Sequence, residues 1–217
     1  MGSYKTIFEY GQAEDVINKS RFIGYAKPVE SEEEAVAFVD EIKKKHKDAS
    51  HNVPVYLIGE KFEVQRYSDD GEPSGTAGVP VLSMLKNEGI TNLAVVVTRY
   101  FGGVKLGTGG LVRAYTHAAK IAVDAAKVVE KKVYLELHVH LNYTLHGKFQ
   151  NFLMNNEAYL LKDTVYLDNV NTIVYIEPEL IEGFKATVVD MTGDKVKFED
   201  HDEIYLTILD GKAVELT

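Results

Sequence analysis

LAVVVTRYFGGVKLGTGGLVRAY, residues 93–115, decides how most of this chain folds. Its first five residues are apolar without interruption. That pattern reads as a strand buried on both faces, which leads us to expect parallel neighbours. From Thr98 to Gly110 the stretch becomes glycine-rich, with five glycines in the nine residues from Gly102 to Gly110. A helix is then expected from about Thr108 to Val128. Its apolar face is made of small residues, Ala114, Ala118, Ala122 and Ala125, so it can approach a sheet closely, while Arg113, His117, Lys120, Asp124 and Lys127 face water.

The same strand-loop-helix grammar occurs upstream. Lys5 to Tyr10 and Val16 to Ala26 read as strands. Ser31-Glu32-Glu33-Glu34 has capping-box spacing and opens an amphipathic helix that ends at the basic run Lys43 to Lys47, where lysines suit the helix dipole. Val53 to Ile58 and Phe62 to Tyr67 read as a hairpin. A polar loop, Ser68 to Gly75, then leads into a helix from about Thr76 to Glu88, ended by Gly89. If the strands near 62–67 and 93–97 run parallel, the loops leaving them emerge at one sheet edge and face each other across a cleft.

Downstream of Lys131 the pattern changes. Val133, Leu135, Leu137, Val139 and Leu141 alternate with Tyr134, Glu136, His138, His140 and Asn142, as in a strand covering a core on one side only. A helix near 143–156, strands near 159–167 and 170–177, a helix begun by Pro178 and a last strand near 204–209 complete a βαββαβ order, that of a ferredoxin-like sandwich. The expected fold is therefore α+β in two domains, 1–130 and 131–217.

Of the 217 residues, 45% are hydrophobic, enough for two cores. There is no cysteine, which excludes disulfides, thiolate nucleophiles and cysteine-based metal sites. No segment approaches the roughly 20 apolar residues of a membrane-spanning helix, so a soluble, cytoplasmic chain without a membrane partner is expected. The net charge of −9 is uneven. Residues 1–130 hold 16 Lys+Arg against 18 Asp+Glu, whereas 131–217 hold 8 against 15 and no arginine. Anion recognition therefore belongs to the first domain. The second is expected not to bind RNA by itself, because carboxylates repel phosphate. Tyr134, Tyr175 and Tyr205 are expected on its open sheet face, among Glu136, Glu177 and Glu203, which suits a protein contact better than RNA.

Glycine admits close backbone approach, and a helix N-terminus offers unpaired N–H groups. The second loop is thus an anion cradle by construction. The candidate ligand-binding residues are Gly102, Gly103, Gly107, Gly109 and Gly110, with Arg99, Lys105 and Arg113 adding charge. Asp69, Asp70, Glu72 and His51 could orient polar groups. Replacing Arg99 and Lys105 by Ala is expected to spare the fold, whereas Val at Gly109 would meet a positive φ. The bland alternative is that the glycines serve turns and packing and the acids form turns. Neither GxxxxGK[ST], GxGxxG nor G-x-S-x-G is present, so no catalytic residue and no cofactor is assigned. His138 and His140 share a face, with His146 near in sequence, but without a neighbouring carboxylate triad they read as a solvated face. No metal is expected, since no tetrahedral ligand set can be assembled from neighbouring positions.

Lys19-Ser20-Arg21-Phe22-Ile23, His51-Asn52, Ser68 to Gly78, Val96 to Gly103 and Leu106 to Tyr115 resemble the YigZ/IMPACT family, strongly over residues 1–128. The remainder is similar to the small C-terminal domain of bacterial members and, in fold, to domain V of elongation factor G. The resemblance implies a first domain like domain 2 of ribosomal protein S5. Val53 stands where members often carry a cysteine. Eukaryotic members are translation regulators that compete for the activator of a starvation-responsive initiation-factor kinase.

Three functions follow as expectations. The first is a non-catalytic binding protein linked to translation or its regulation, whose cleft takes a phosphate-containing ligand or a protein or ribosome-associated partner. The second is an enzyme acting on a phosphorylated or nucleotide substrate, in which Asp69, Asp70 or His51 supplies base or metal-ligand chemistry and Lys105 and Arg99 hold phosphate. The third is direct binding of RNA or the ribosome, opposed by the charge.

Overall fold

The computed structural model describes residues 2–209 and 212–214. It divides into two compact units, Tyr4–Glu130 and the residues from Lys131 onward, the latter taking in the first residues of the chain.

The first unit contains β1 (Tyr4–Ile7), β2 (Gly11–Ile17), β3 (Ser20–Pro28), α1 (Glu32–Lys45), β4 (His51–Ile58), β5 (Val64–Tyr67), α2 (Gly78–Glu88), β6 (Leu93–Tyr100) and α3 (Thr108–Ala125). Five strands form one sheet in the order β2-β3-β6-β4-β5. β6 lies at its centre, yet both its neighbours, β3 and β4, are antiparallel to it, contrary to the parallel pairing its apolar run suggested. The run is apolar because helices cover both faces. α1 packs Phe38, Val39 and Ile42 on Ala94 and Val96. On the other side α2 and α3 bring Val81, Leu85, Leu111 and Ala118 to Leu93, Val95 and Val97. Three-layer burial gives the same pattern as a parallel sheet.

Residues 16–26 form two strands, not one. β2 and β3 are a hairpin turning at Asn18 and Lys19, φ 47° and 64°. Both central residues have positive φ, as a type I′ turn requires, but Asn-Lys lacks the usual glycine cue. Ser31 caps α1 by accepting the Glu34 N–H, and Gly89 ends α2 in the left-handed region. On α3 the buried small residues are Ala114, Ala118, Ala119 and Ala122, with Ala126 buried at its C-cap, whereas Ala125 is exposed. The helix sits so close to β3 that a Cβ on Gly24 would lie 2.1 Å from the Ala118 carbonyl oxygen.

β7 (Val128–Leu141) leads into the second unit, followed by α4 (Tyr143–Met154), β8 (Tyr159–Tyr166), β9 (Val170–Ile176), a 3-10 turn at Pro178–Leu180, α5 (Ile181–Thr192), β10 (Lys197–Leu209) and β11 (Lys212–Val214). The sheet order β11-β10-β7-β9-β8 is ferredoxin-like with β11 added at one edge. Leu137, Val139 and Leu141 pack on Phe149, Leu153, Phe184 and Val188. The opposite face departs from expectation at one end. Tyr134 and Tyr175 are 5% and 6% exposed, clustered with Leu206 and flanked by Ile204 and Ile208. By strand alternation Tyr205 points the other way. No open tyrosine platform exists there. Among the described residues no helix is long and apolar enough to cross a membrane.

Candidate functional site

β5 and β6 each run antiparallel to β4 and so are parallel to each other. The loops that leave them emerge at one edge and bound a cleft of about 380 Å³. Its charged base is Arg99, from β6, and Glu72. Its walls are apolar: Pro73, Phe101, Leu106 and Leu111. Lys105, Gly107 and Thr108 complete it at the exposed start of α3.

Glu72 is the hub. Its Oε1 accepts from Arg99 Nη1 at 2.6 Å and from the Tyr115 hydroxyl at 2.7 Å, and His51 Nε2 lies 3.7 Å away. Arg99 Nη2 donates to Ser20 Oγ at 3.3 Å, and its guanidinium lies 5.4 Å from the ring centroids of both Phe22 and Phe101. Its buried Nε has no partner. Burial, and next the hydrogen bond to Glu72, raise the Tyr115 phenol above its ordinary range. The Arg99 charge is therefore largely spent on Glu72, and the positive field left for a ligand comes from Lys105 and the start of α3.

The other acids of the first loop hold their own backbone. Asp69 Oδ1 accepts the N–H groups of Ala77 at 3.1 Å and Gly78 at 2.8 Å, and Oδ2 that of Gly75 at 2.8 Å. It caps α2, whose N-cap residue, Ala77, has no polar side chain. Asp70 Oδ2 accepts the Asn52 N–H at 2.6 Å, and the Asp70 carbonyl accepts from His51 Nδ1 at 2.7 Å.

The glycines divide by role. A Cβ on Gly102 would stand 1.9 Å from the Lys19 carbonyl oxygen, and the Gly102 N–H donates to Ser20 Oγ at 3.2 Å. Gly102 is a packing residue. Gly103 has φ 82°. Gly107, the N-cap of α3, has φ 72° and ψ 168°, a region close to glycine-only, and no side chain caps the helix. Gly109 and Gly110 lie in the first helical turn without positive φ. The backbone objection to Val at Gly109 therefore does not apply.

Of the residues proposed from sequence, Glu72, Arg99, Lys105 and Gly107 line the cleft. Gly109 and Gly110 follow in the first turn of α3. His51 and Asp70 lie behind Glu72, Asp69 beneath α2, and Gly102 and Gly103 in the connecting loop. Arg113 is exposed on α3 outside the lining. Sequence reading missed Ser20 and Tyr115. Tyr115 sits four residues after Leu111 on the inner face of α3, a helical-spacing signal, whereas Ser20 reaches Arg99 only through strand pairing.

Residues 18–123 match the Impact N-terminal domain, which spans the whole cleft, and residues 139–195 match a domain of unknown function, DUF1949. The chain is 42% identical over 204 residues to the IMPACT family member YvyE of Bacillus subtilis, covering 94% of each. It is 46% identical over 101 residues to the IMPACT family member YigZ of Escherichia coli, 46% of this chain and 50% of that one. Against the Protein IMPACT homolog of Saccharomyces cerevisiae it is 33% identical, over 46% of this chain and 41% of that one. A crystal structure of a hypothetical protein, 28% identical, aligns with a TM-score of 0.58 over 93% of this chain and 98% of that chain.

Proposed function

Because the chain belongs to the IMPACT family, we propose that it is a cytoplasmic, non-catalytic binding protein linked to translation or its regulation, and that a phosphate-containing ligand occupies the cleft at the start of α3. One observation carries this reading: an 18-residue helix begins at Thr108, after an N-cap glycine that offers no side-chain cap, and opens onto a cleft that also holds Lys105. Unpaired N–H groups and the helix dipole favour an anion there. The binding role is preferred to catalysis because the carboxylates of Asp69 and Asp70 accept backbone N–H groups of the fold and that of Glu72 accepts from Arg99 and Tyr115. None is left as a free base in the cleft.

Calorimetric titration with nucleotides and phosphorylated metabolites tests the proposal. Wild type should bind at least one, and Lys105→Ala should lose roughly 1–3 kcal/mol of affinity. Gly109→Asp is the sharper probe. Its Cβ meets only the flexible Arg113 side chain at 3.8 Å, and a carboxylate in the first turn suits the helix dipole, so the fold holds while the anion is repelled. Equal binding by Gly109→Asp, or no binding by wild type, would sink the reading. Turnover of a bound ligand would replace it with an enzymatic one.

A further inference from the structure

On one face of the second unit's sheet, β7 places Glu136, His138 and His140 at alternate positions, and its neighbour β10 places Glu199 and His201 two apart. Alternation along β7 puts its three side chains opposite the core residues Leu137 and Val139, and contacts with His138 and His140 bring Glu199 and His201 to the same face. His138 Nε2 lies 3.1 Å from Glu136 Oε1, His140 Nε2 3.3 Å from Glu199 Oε2, and His201 Nε2 3.7 Å from Glu199 Oε1. The His138 and His201 rings stack with centroids 4.0 Å apart. Glu136, His138 and His201 present ligand atoms within 4.8 Å of one another, and so do His138, His140 and Glu199. The expectation that no ligand set could be assembled took account of β7 alone; the fold adds β10.

We propose that His138, His140 and Glu199, with His201 as fourth donor, form a binding site for a divalent transition-metal ion of the zinc type. The donor set selects the ion. Imidazole nitrogens with one carboxylate suit zinc and its neighbours cobalt, nickel and copper, whereas magnesium and calcium prefer all-oxygen shells. Glu136 is the poorer ligand, since Lys162 Nζ holds its Oε2 at 3.0 Å. Tetrahedral donors about a zinc ion sit about 3.4 Å apart, so the group must contract. The exposed side chains of Glu199 and His201 have room to do so.

Asn171 is placed to set the tautomer of His138. Its Nδ2 lies 3.1 Å from His138 Nδ1, while its buried Oδ1 has no partner. Turning the amide sets Oδ1 against a protonated Nδ1. That leaves the Nε2 of His138, 3.1 Å from Glu136 Oε1, with a lone pair, the tautomer a metal needs, while the amide nitrogen takes the buried position the oxygen held.

The test is titration of the full chain with Co²⁺, followed by its visible d–d absorption, and with Zn²⁺ in competition. One equivalent should bind with bands typical of nitrogen and oxygen donors. His138→Gln together with His140→Gln should remove the spectrum, while His117→Gln, remote in sequence, leaves it intact. Asn171→Leu should weaken binding about tenfold or more without a change of ligands. Melting curves of the metal-free variants check that each is folded. Absence of a stoichiometric Co²⁺ spectrum from wild type, or an unchanged spectrum in the folded double variant, overturns the proposal. Should the double variant not fold, His140→Gln alone decides by the same spectrum.

Discussion

Arg99 and Glu72 meet at 2.6 Å with side chains only 6% and 4% exposed, so the base of the cleft is a desolvated ion pair. Removing one member strands a buried charge. Arg99→Ala should therefore cost about 3–5 kcal/mol in urea unfolding, and Glu72→Ala a similar amount. The paired replacement Arg99→Met with Glu72→Leu should recover most of that loss. This also corrects the expectation that Ala at position 99 spares the fold, and it is why Lys105→Ala is the usable charge probe. Additive losses in the double variant would refute the coupling.

Gly102 and Gly109 should respond oppositely to alanine. At Gly102 a methyl group collides with backbone at 1.9 Å, so Gly102→Ala forces β3 and the loop apart and should cost at least about 2 kcal/mol. At Gly109 the position is helical and open, so Gly109→Ala should stabilise by about 0.5–1 kcal/mol. Chemical denaturation of the two variants side by side measures the contrast.

Alkali should unfold the first unit by way of its tyrosines. Burial pushes the Tyr25 phenol up from 10.0 to about 12, and its hydroxyl lies 2.5 Å from His46 Nε2. The folded phenol stays protonated where the unfolded one has ionised. Its stabilising contribution is therefore complete below pH 10 and is lost as pH rises towards about 12. The slope approaches about 1.4 kcal/mol per pH unit for each such group. Tyr115, raised chiefly by burial, acts in the same direction. Urea midpoints across this window should fall less steeply in Tyr25→Phe than in wild type.

Residues 131–217, at eight basic against fifteen acidic side chains, should not bind single-stranded or structured RNA at physiological salt. The burial of Tyr134 and Tyr175 removes the stacking platform that would have argued otherwise. Micromolar binding with steep salt dependence in a filter or fluorescence titration would reverse this.

What the amino-acid order determined by itself is mostly local. The cap at Ser31, the stop at Gly89, the alternation along β7 and the glycine-rich passage into α3 each rest on contacts within a few residues, and each can be read in place. So could the meeting of the two loops, because strand direction follows from counting crossings. Tertiary structure alone decided the rest. An apolar run cannot distinguish parallel neighbours from helices on both faces, so the antiparallel setting of β6 was hidden. Nor does an acid declare its partner. Asp69 became a helix cap, Asp70 a strand clamp and Glu72 the counter-ion of Arg99 only once chain segments distant in sequence were brought together. The same holds for His138 and His140, which acquire Glu199 and His201 from about sixty residues away because β10 pairs beside β7. Side-chain identity sets which chemistry is available, and strand pairing chooses which groups share it.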